Sequence, residues 1–178
     1  MLDSFRVNTL GLIHSIQAFL PLIRKGTTKK EANISTGMAD LDLINATDVE
    51  VAGPYAVSKA ASNVVVSKYS AAHKQEGILF LSISPGYVAT ERNFQAAESK
   101  ILVIIDERLS NHADESSVGD AKKAQELGRK FATYAPHFTR MLTTEESVSS
   151  ILNVIDQKSV AGGDGGKFIS HLGSQQWL

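Results

Sequence analysis

Apolar side chains recur at helical spacing through the first two dozen residues: Phe5, Leu12, Ile16, Phe19 and Ile23. This pattern predicts a helix over residues 2–24. Asn8 falls on its apolar side, with Leu12 and Phe19 above it, so it needs a hydrogen-bond partner. Pro21 constrains the last turn, and Arg24-Lys25-Gly26 is a stop signal. A short strand is predicted at 32–35. It is weak, because Glu31 and Ala32 stand where a buried parallel strand favours Val or Ile. A loop rich in Asp and Asn runs to Gly53. Pro54 suits the first turn of a helix, which continues to about Glu76 and stops at Gly77. Its side chains are mainly Ala, Ser and Val, a surface fit for close packing. Residues 78–84 form a continuous apolar run of strand length. Periodicity is less legible over 91–142, where 97–109 and 120–134 read as helices around a polar stretch at 111–119. Thr143 and Glu146 make a capping box before a helix carrying Val148, Ile151, Leu152 and Ile155. Glycines at 162–166 mark a turn, and 167–170 a last short strand. Strands alternating with helices predict an α/β domain with a parallel sheet and right-handed crossovers.

Composition narrows the function classes. The 178 residues suit one domain with a substantial core. Eighteen basic and nineteen acidic residues give a net charge of -1. No basic block offers a footprint for nucleic acid or anionic lipid. There are no cysteines, which excludes disulfides, thiol nucleophiles and thiolate zinc sites. His14, His73, His112, His137 and His171 are scattered without ligand spacing, so no metal site is expected. Residues 10–23 are apolar, but His14, Ser15 and Gln17 interrupt them. They lack a basic leader and are too short to span a bilayer. The expectation is a cytoplasmic chain with neither membrane nor nucleic-acid partners.

The candidate chemistry centres on Tyr55-Ala56-Val57-Ser58-Lys59. A phenol and an ammonium four residues apart share one helical face. A nearby cation favours the phenolate and tunes the tyrosine as an acid or base. Ser35 or Thr36, ending the preceding strand, can donate a hydrogen bond to a substrate oxygen. Asn8 can hold a water that links Lys59 to solvent. Alone, each piece is commonly a structural accident: a Tyr-x-x-x-Lys on a helix, a strand-ending Ser-Thr, a mid-helix Asn. Their order, with each in its expected slot, gives the combination its weight.

That ordered set resembles the short-chain dehydrogenase/reductase family over nearly the whole chain. Phe5-Arg6-Val7-Asn8 is similar to the family's Val-Asn helix, whose Asn completes a catalytic tetrad. Asn33-Ile34-Ser35-Thr36 resembles the strand ending in the catalytic hydroxyl. The family position corresponds to Thr36, with Ser35 kept as a candidate. Tyr55 and Lys59 match the acid/base Tyr and its Lys. Ser84-Pro85-Gly86-Tyr87-Val88-Ala89-Thr90 matches the segment lining the nicotinamide. The resemblance thus implies catalytic roles for Tyr55, Lys59, Thr36 or Ser35, and Asn8. It implies cofactor contacts from Pro85, Gly86, Val88, Thr90 and Lys59, and makes 91–142 the variable substrate-binding region.

The implied fold is a partial Rossmann-like parallel sheet with flanking helices, the C-terminal half of the family's fold. The implied activity is NAD(P)-dependent oxidation or reduction of a small carbonyl or alcohol. The family's Gly-rich dinucleotide turn would lie before Met1, and the glycines at 162–166 do not replace it, because they follow a helix and open none. The expectation is therefore poor NAD(P) binding by this chain alone. Two alternatives stay open: a cofactor-independent Tyr/Lys dehydratase or isomerase, and a non-catalytic dimerising remnant. The resemblance further implies a homodimer or homotetramer through the helices at 2–24 and 54–76. It also implies that the strand near 33 becomes a sheet edge, with Glu31 as a candidate guard against edge pairing.

Overall fold

The computed structural model describes residues 1–90 and 128–178. Three parallel strands, β1 (Lys30–Ile34), β2 (Leu79–Ser84) and β3 (Phe168–Ser170), lie in the order β1-β2-β3. Lys30 pairs with Leu79 and Ile34 with Ile83; Ser82 pairs with Phe168 and Ser84 with Ser170. This is a partial Rossmann-like parallel sheet with flanking helices, and β1 is an edge among the described residues, as expected.

The first helical run comprises α1 (Leu2–Phe5), a π-helical turn (Arg6–Leu10) and α2 (Gly11–Lys25). The π turn was not legible, and it holds Asn8. A further helix, α3 (Leu41–Thr47), follows a 3₁₀ turn at Gly37–Ala39. Both lie where a loop was expected. Asp40 caps α3 by accepting from Leu43 N at 2.8 Å, so the Asp that suggested loop is an N-cap. α4 (Gly53–His73) leads into a 3₁₀ turn at Lys74–Glu76 and stops at Gly77, whose φ of +70° favours glycine. Residues 128–134 are helical. The readings at 97–109 and 111–119, and the first part of 120–134, lie outside the described residues. α5 (Thr144–Gln157) carries the expected capping box.

β2 alternates between two cores. Leu79, Leu81 and Ile83 pack with Ile151, Val154 and Ile169 on the α5 side. Ile78 and Phe80 pack with Ile16 of α2 and Val66 of α4 on the other. Two expected stripes need correction. Phe19 is 59% exposed, with Leu12, Leu20 and Ile23 partly buried around Ile16 instead. On α5 the buried members are Ile151 and Val154, whereas Val148 and Leu152 face outward. β1 starts at Lys30, two residues earlier than predicted, because Lys30 Nζ is held by the Ile155 and Asp156 carbonyls ending α5.

Candidate active site

Parallel strands place their C-terminal ends together, and here those ends carry the candidate chemistry. Thr36 leaves β1 and Pro85 leaves β2. The two exits are tied where Gly37 N donates to Ser84 Oγ at 3.0 Å. α4 delivers Tyr55 to the same place. Ala52 enters α4 in the left-handed region at φ +59°, Pro54 fills the first turn, and Tyr55 follows.

The structure brings three of the expected residues together. Thr36 stands at the Tyr55 phenol, where its hydroxyl favours the phenolate, and Lys59 Nζ lies 6.0 Å from the centre of the Tyr55 ring. Thr36 Oγ1 also accepts from Met38 N at 3.2 Å, which fixes its rotamer at the head of the 3₁₀ turn. Ser35 points elsewhere: it is buried, and its Oγ has no hydrogen-bond partner. Of the two candidate hydroxyls, Thr36 is the one at the phenol.

The electrostatics differ from the simple expectation. Burial pushes the Tyr55 phenol up, and the Thr36 hydroxyl offsets only part of this. Burial also pushes Lys59 down. Its ammonium donates to the Ile34 carbonyl at 2.8 Å. The phenol is therefore held in its protonated form at neutral pH.

Asn8 sits one layer behind. Its Nδ2 donates to Ser58 Oγ at 2.9 Å, and Ser58 Oγ donates to the Tyr55 carbonyl at 2.8 Å. Thr9 Oγ1 donates to the Ser58 carbonyl at 2.9 Å, and Ser62 Oγ donates to the Asn8 carbonyl at 2.8 Å. The π turn is thus stitched to α4 by hydroxyls one turn apart, a use to which such turns are often put near functional sites. Thr9 was not singled out, and Ser58 and Ser62 were read only as part of a small-residue surface. Their i, i+4 spacing along α4, opposite a mid-helix Asn, was the available signal.

The expected cofactor segment leaves β2 as a braced loop. Pro85 O accepts from Ser147 Oγ of α5 at 2.8 Å. Val88 bridges to Leu142, with Ala89 N donating to Leu142 O at 2.8 Å. Thr90 is exposed. Gly86 has a φ of +82°, and a Cβ there would meet His171 at 2.8 Å and Leu142 at 3.0 Å. The glycine is required by this packing within the chain. His171 itself is buried with an unpartnered Nδ1, and burial pushes its pKa down. A small cavity of about 60 Å³ adjoins Thr36, lined also by Gly86, Tyr87, Phe131 and Trp177. A larger groove of about 300 Å³, between Ser67, Ser70 and Lys74 of α4 and the glycines at 163–166, includes none of these residues.

The chain is 42% identical to a short-chain dehydrogenase/reductase of Aspergillus aculeatus (AacuF), over 100% of this chain and 59% of that protein. It is 35% identical to the short chain dehydrogenase virK of Hypocrea virens, over 100% of this chain and 58% of that protein. The chain belongs to the short-chain dehydrogenase/reductase family. It spans about three-fifths of the length of these relatives. No family model matches it. The fold is shared with an NADPH-bound carbonyl reductase from chicken fatty liver, at TM-score 0.63 and 20% identity, covering 98% of this chain and 57% of that one. A D-mannonate oxidoreductase from Haemophilus influenza with bound NAD gives TM-score 0.64 at 20% identity, covering 97% and 51%. Among the described residues no helix is long and apolar enough to cross a membrane.

The loop 85–90 leaves β2 at the C-terminal strand ends, the side on which parallel α/β sheets bind nucleotides. This sequence has no Gly-rich turn between a strand and a helix to take the pyrophosphate.

Proposed function

We propose that this chain carries the proton-transfer side of an NAD(P)-dependent oxidoreductase acting on a small carbonyl or alcohol. The observation that carries the reading is the meeting of Thr36 and Lys59 at Tyr55, with Lys59 Nζ 6.0 Å from the ring. In the reduction direction Thr36 holds the substrate oxygen, and Tyr55 gives that oxygen its proton as negative charge develops there. The elevated phenol suits this donor role at neutral pH. Lys59 stabilises the phenolate left behind, once its ammonium turns from the Ile34 carbonyl toward the ring. Asn8 holds α4 in register through Ser58. NAD(P), when bound, supplies or accepts the hydride, which no side chain can. Pro85, Gly86, Val88, Thr90 and Lys59 would hold its nicotinamide end. The carbonyl reductase and oxidoreductase named above, and the relatives at 35–42% identity, support the reading.

The exposed Leu10, Phe19 and Leu22 of the first helical run, and Val57 and Val64 of α4, support assembly with a second copy through these helices. Light scattering of the purified chain tests this, and a concentration-independent monomer would contradict it.

The functional test joins this chain to the portion of the Aspergillus aculeatus relative that it does not cover. Calorimetry with NADH and NADPH measures cofactor binding, and nicotinamide absorbance follows turnover with a panel of ketones. Cofactor oxidation dependent on a ketone is expected. Binding without oxidation, accompanied by dehydration or isomerisation of carbonyl substrates, would favour the cofactor-independent acid–base reading instead.

A further inference from the structure

We propose that Trp177 is a positioning residue for this site: packed on Gly37, it fixes the turn that carries the Thr36 hydroxyl to Tyr55. The inference rests on the roles given above to Thr36 and Tyr55.

Trp177 is the only tryptophan in the chain, seven residues beyond any position read as an element, yet it is 2% exposed. Its ring stacks on Phe168 of β3 at 4.3 Å between centroids. A Cβ at Gly37 would lie 2.8 Å from Trp177 Cβ and 3.0 Å from its Cγ. Glycine is therefore needed directly after Thr36 because the tryptophan approaches so closely. The segment bearing Trp177 returns from β3 across the strand ends, and both its limits are anchored. Ser170 N donates to Ser174 O at 2.8 Å. His137 Nε2 lies 3.0 Å from the Leu178 carbonyl oxygen.

The turn at 36–39 has its own ties, Gly37 N to Ser84 Oγ and Met38 N to Thr36 Oγ1. Both hold backbone N–H groups, whereas the indole fills the space on the Cα side of Gly37. Glycine has the widest backbone freedom, and surroundings relax partly into a vacated core site. Removing the indole thus lets the turn shift and draws the Thr36 hydroxyl off the phenol. Displacements of about 1 Å in such groups cost on the order of 10²-fold in rate.

The test reads the phenol directly in the cofactor-free chain. Tyrosine labelled with ¹³C at Cζ is titrated by NMR, and Tyr55→Phe assigns the Tyr55 signal among the four tyrosines. Lys59, 6.0 Å from the ring, is the charged group beside it and is left unchanged throughout. Thr36→Val is expected to move the Tyr55 titration to higher pH, since the hydroxyl favours the phenolate. Trp177→Ala is expected to move it the same way, and the double variant no further than Thr36→Val alone. Trp177→Phe keeps the stack and is expected to keep most of the wild-type titration. If Trp177→Ala does not fold, Gly37→Ala presses the turn from its other side and carries the same expectation. Urea unfolding accompanies each variant. Loss of stability with an unmoved Tyr55 titration marks a purely structural tryptophan and overturns the proposal. An unmoved titration in Thr36→Val instead overturns the underlying pairing of Thr36 with Tyr55, a separate failure.

Discussion

β2 and β1 lie side by side, and the chain treats them differently. Every residue of β2 is buried, because α2 and α4 cover one face and α5 covers the other. Among the described residues β1 has a neighbour on one side only. Ile34 is 47% exposed, and Glu31 is turned inward with Oε2 buried and unpartnered. That carboxyl is no charged guard on the edge. Burial lifts it to about 7, so it prefers to be neutral where it sits. The site lies between a strand the chain completes by itself and a strand whose outer side it leaves open. Thr36 and the carbonyl that holds Lys59 both belong to the open one. Precision at Thr36 must then come from β2 through Ser84, from α4, and from the chain's last residues.

The comparison can be broken most sharply at β2. Phe80→Ala, fully buried and tilted against Tyr69 and His73, is expected to cost about 3–5 kcal/mol. Urea unfolding measures this, and the loss approaches the whole stability of a small domain. Next comes Glu31. Its folded pKa of about 7 stands above the ordinary 4.5, so the folded state binds the extra proton between those values. Stability is therefore full below about pH 4.5 and declines as pH rises through about 7, by on the order of 2–3 kcal/mol. Urea midpoints at about pH 5 and about pH 8 are expected to differ in the wild type and to converge in Glu31→Gln. A stability that rises over this interval and is unaffected by Glu31→Gln would contradict the buried carboxyl. Thr143→Ala removes the cap of the helix covering β2, where Glu146 N donates to Thr143 Oγ1 at 3.2 Å. It is expected to cost about 1 kcal/mol. Ile34→Ala on the open strand closes the series, with an expected cost below about 1 kcal/mol. A cost as large as that of Phe80→Ala would show β1 to be covered in solution.

The same contrast explains what was legible in the sequence. Residues 78–84 read as a strand because a strand buried on both faces needs an unbroken apolar run. β1 was nearly hidden, since Lys30 and Glu31 are placed by tertiary contacts with α5 and the core that local pattern does not carry. Tyr55 and Lys59 were visible from their spacing within the ordered set of candidate pieces, whereas choosing Thr36 over Ser35 required the direction in which β1 turns its side chains. The π turn was invisible for a related reason. Its hydrogen bonds are satisfied by Ser58 and Ser62, some fifty residues away in sequence. Trp177 and His171 were passed over because they follow the last strand, in a segment without periodicity. The loop from 37 to 53 was misread because its Asp40 caps a helix whose inward residues, Leu43 and Thr47, are only two.

The central claim is that Tyr55 moves the proton. It is tested by Tyr55→Phe in this chain joined to the remainder of the Aspergillus aculeatus relative, measuring ketone-dependent oxidation of NADPH or NADH alongside cofactor binding. The account predicts that binding persists while kcat falls by at least about 10²-fold, the phenylalanine keeping the ring and losing only the hydroxyl. Turnover undiminished in a folded Tyr55→Phe protein would contradict it and place the proton transfer elsewhere.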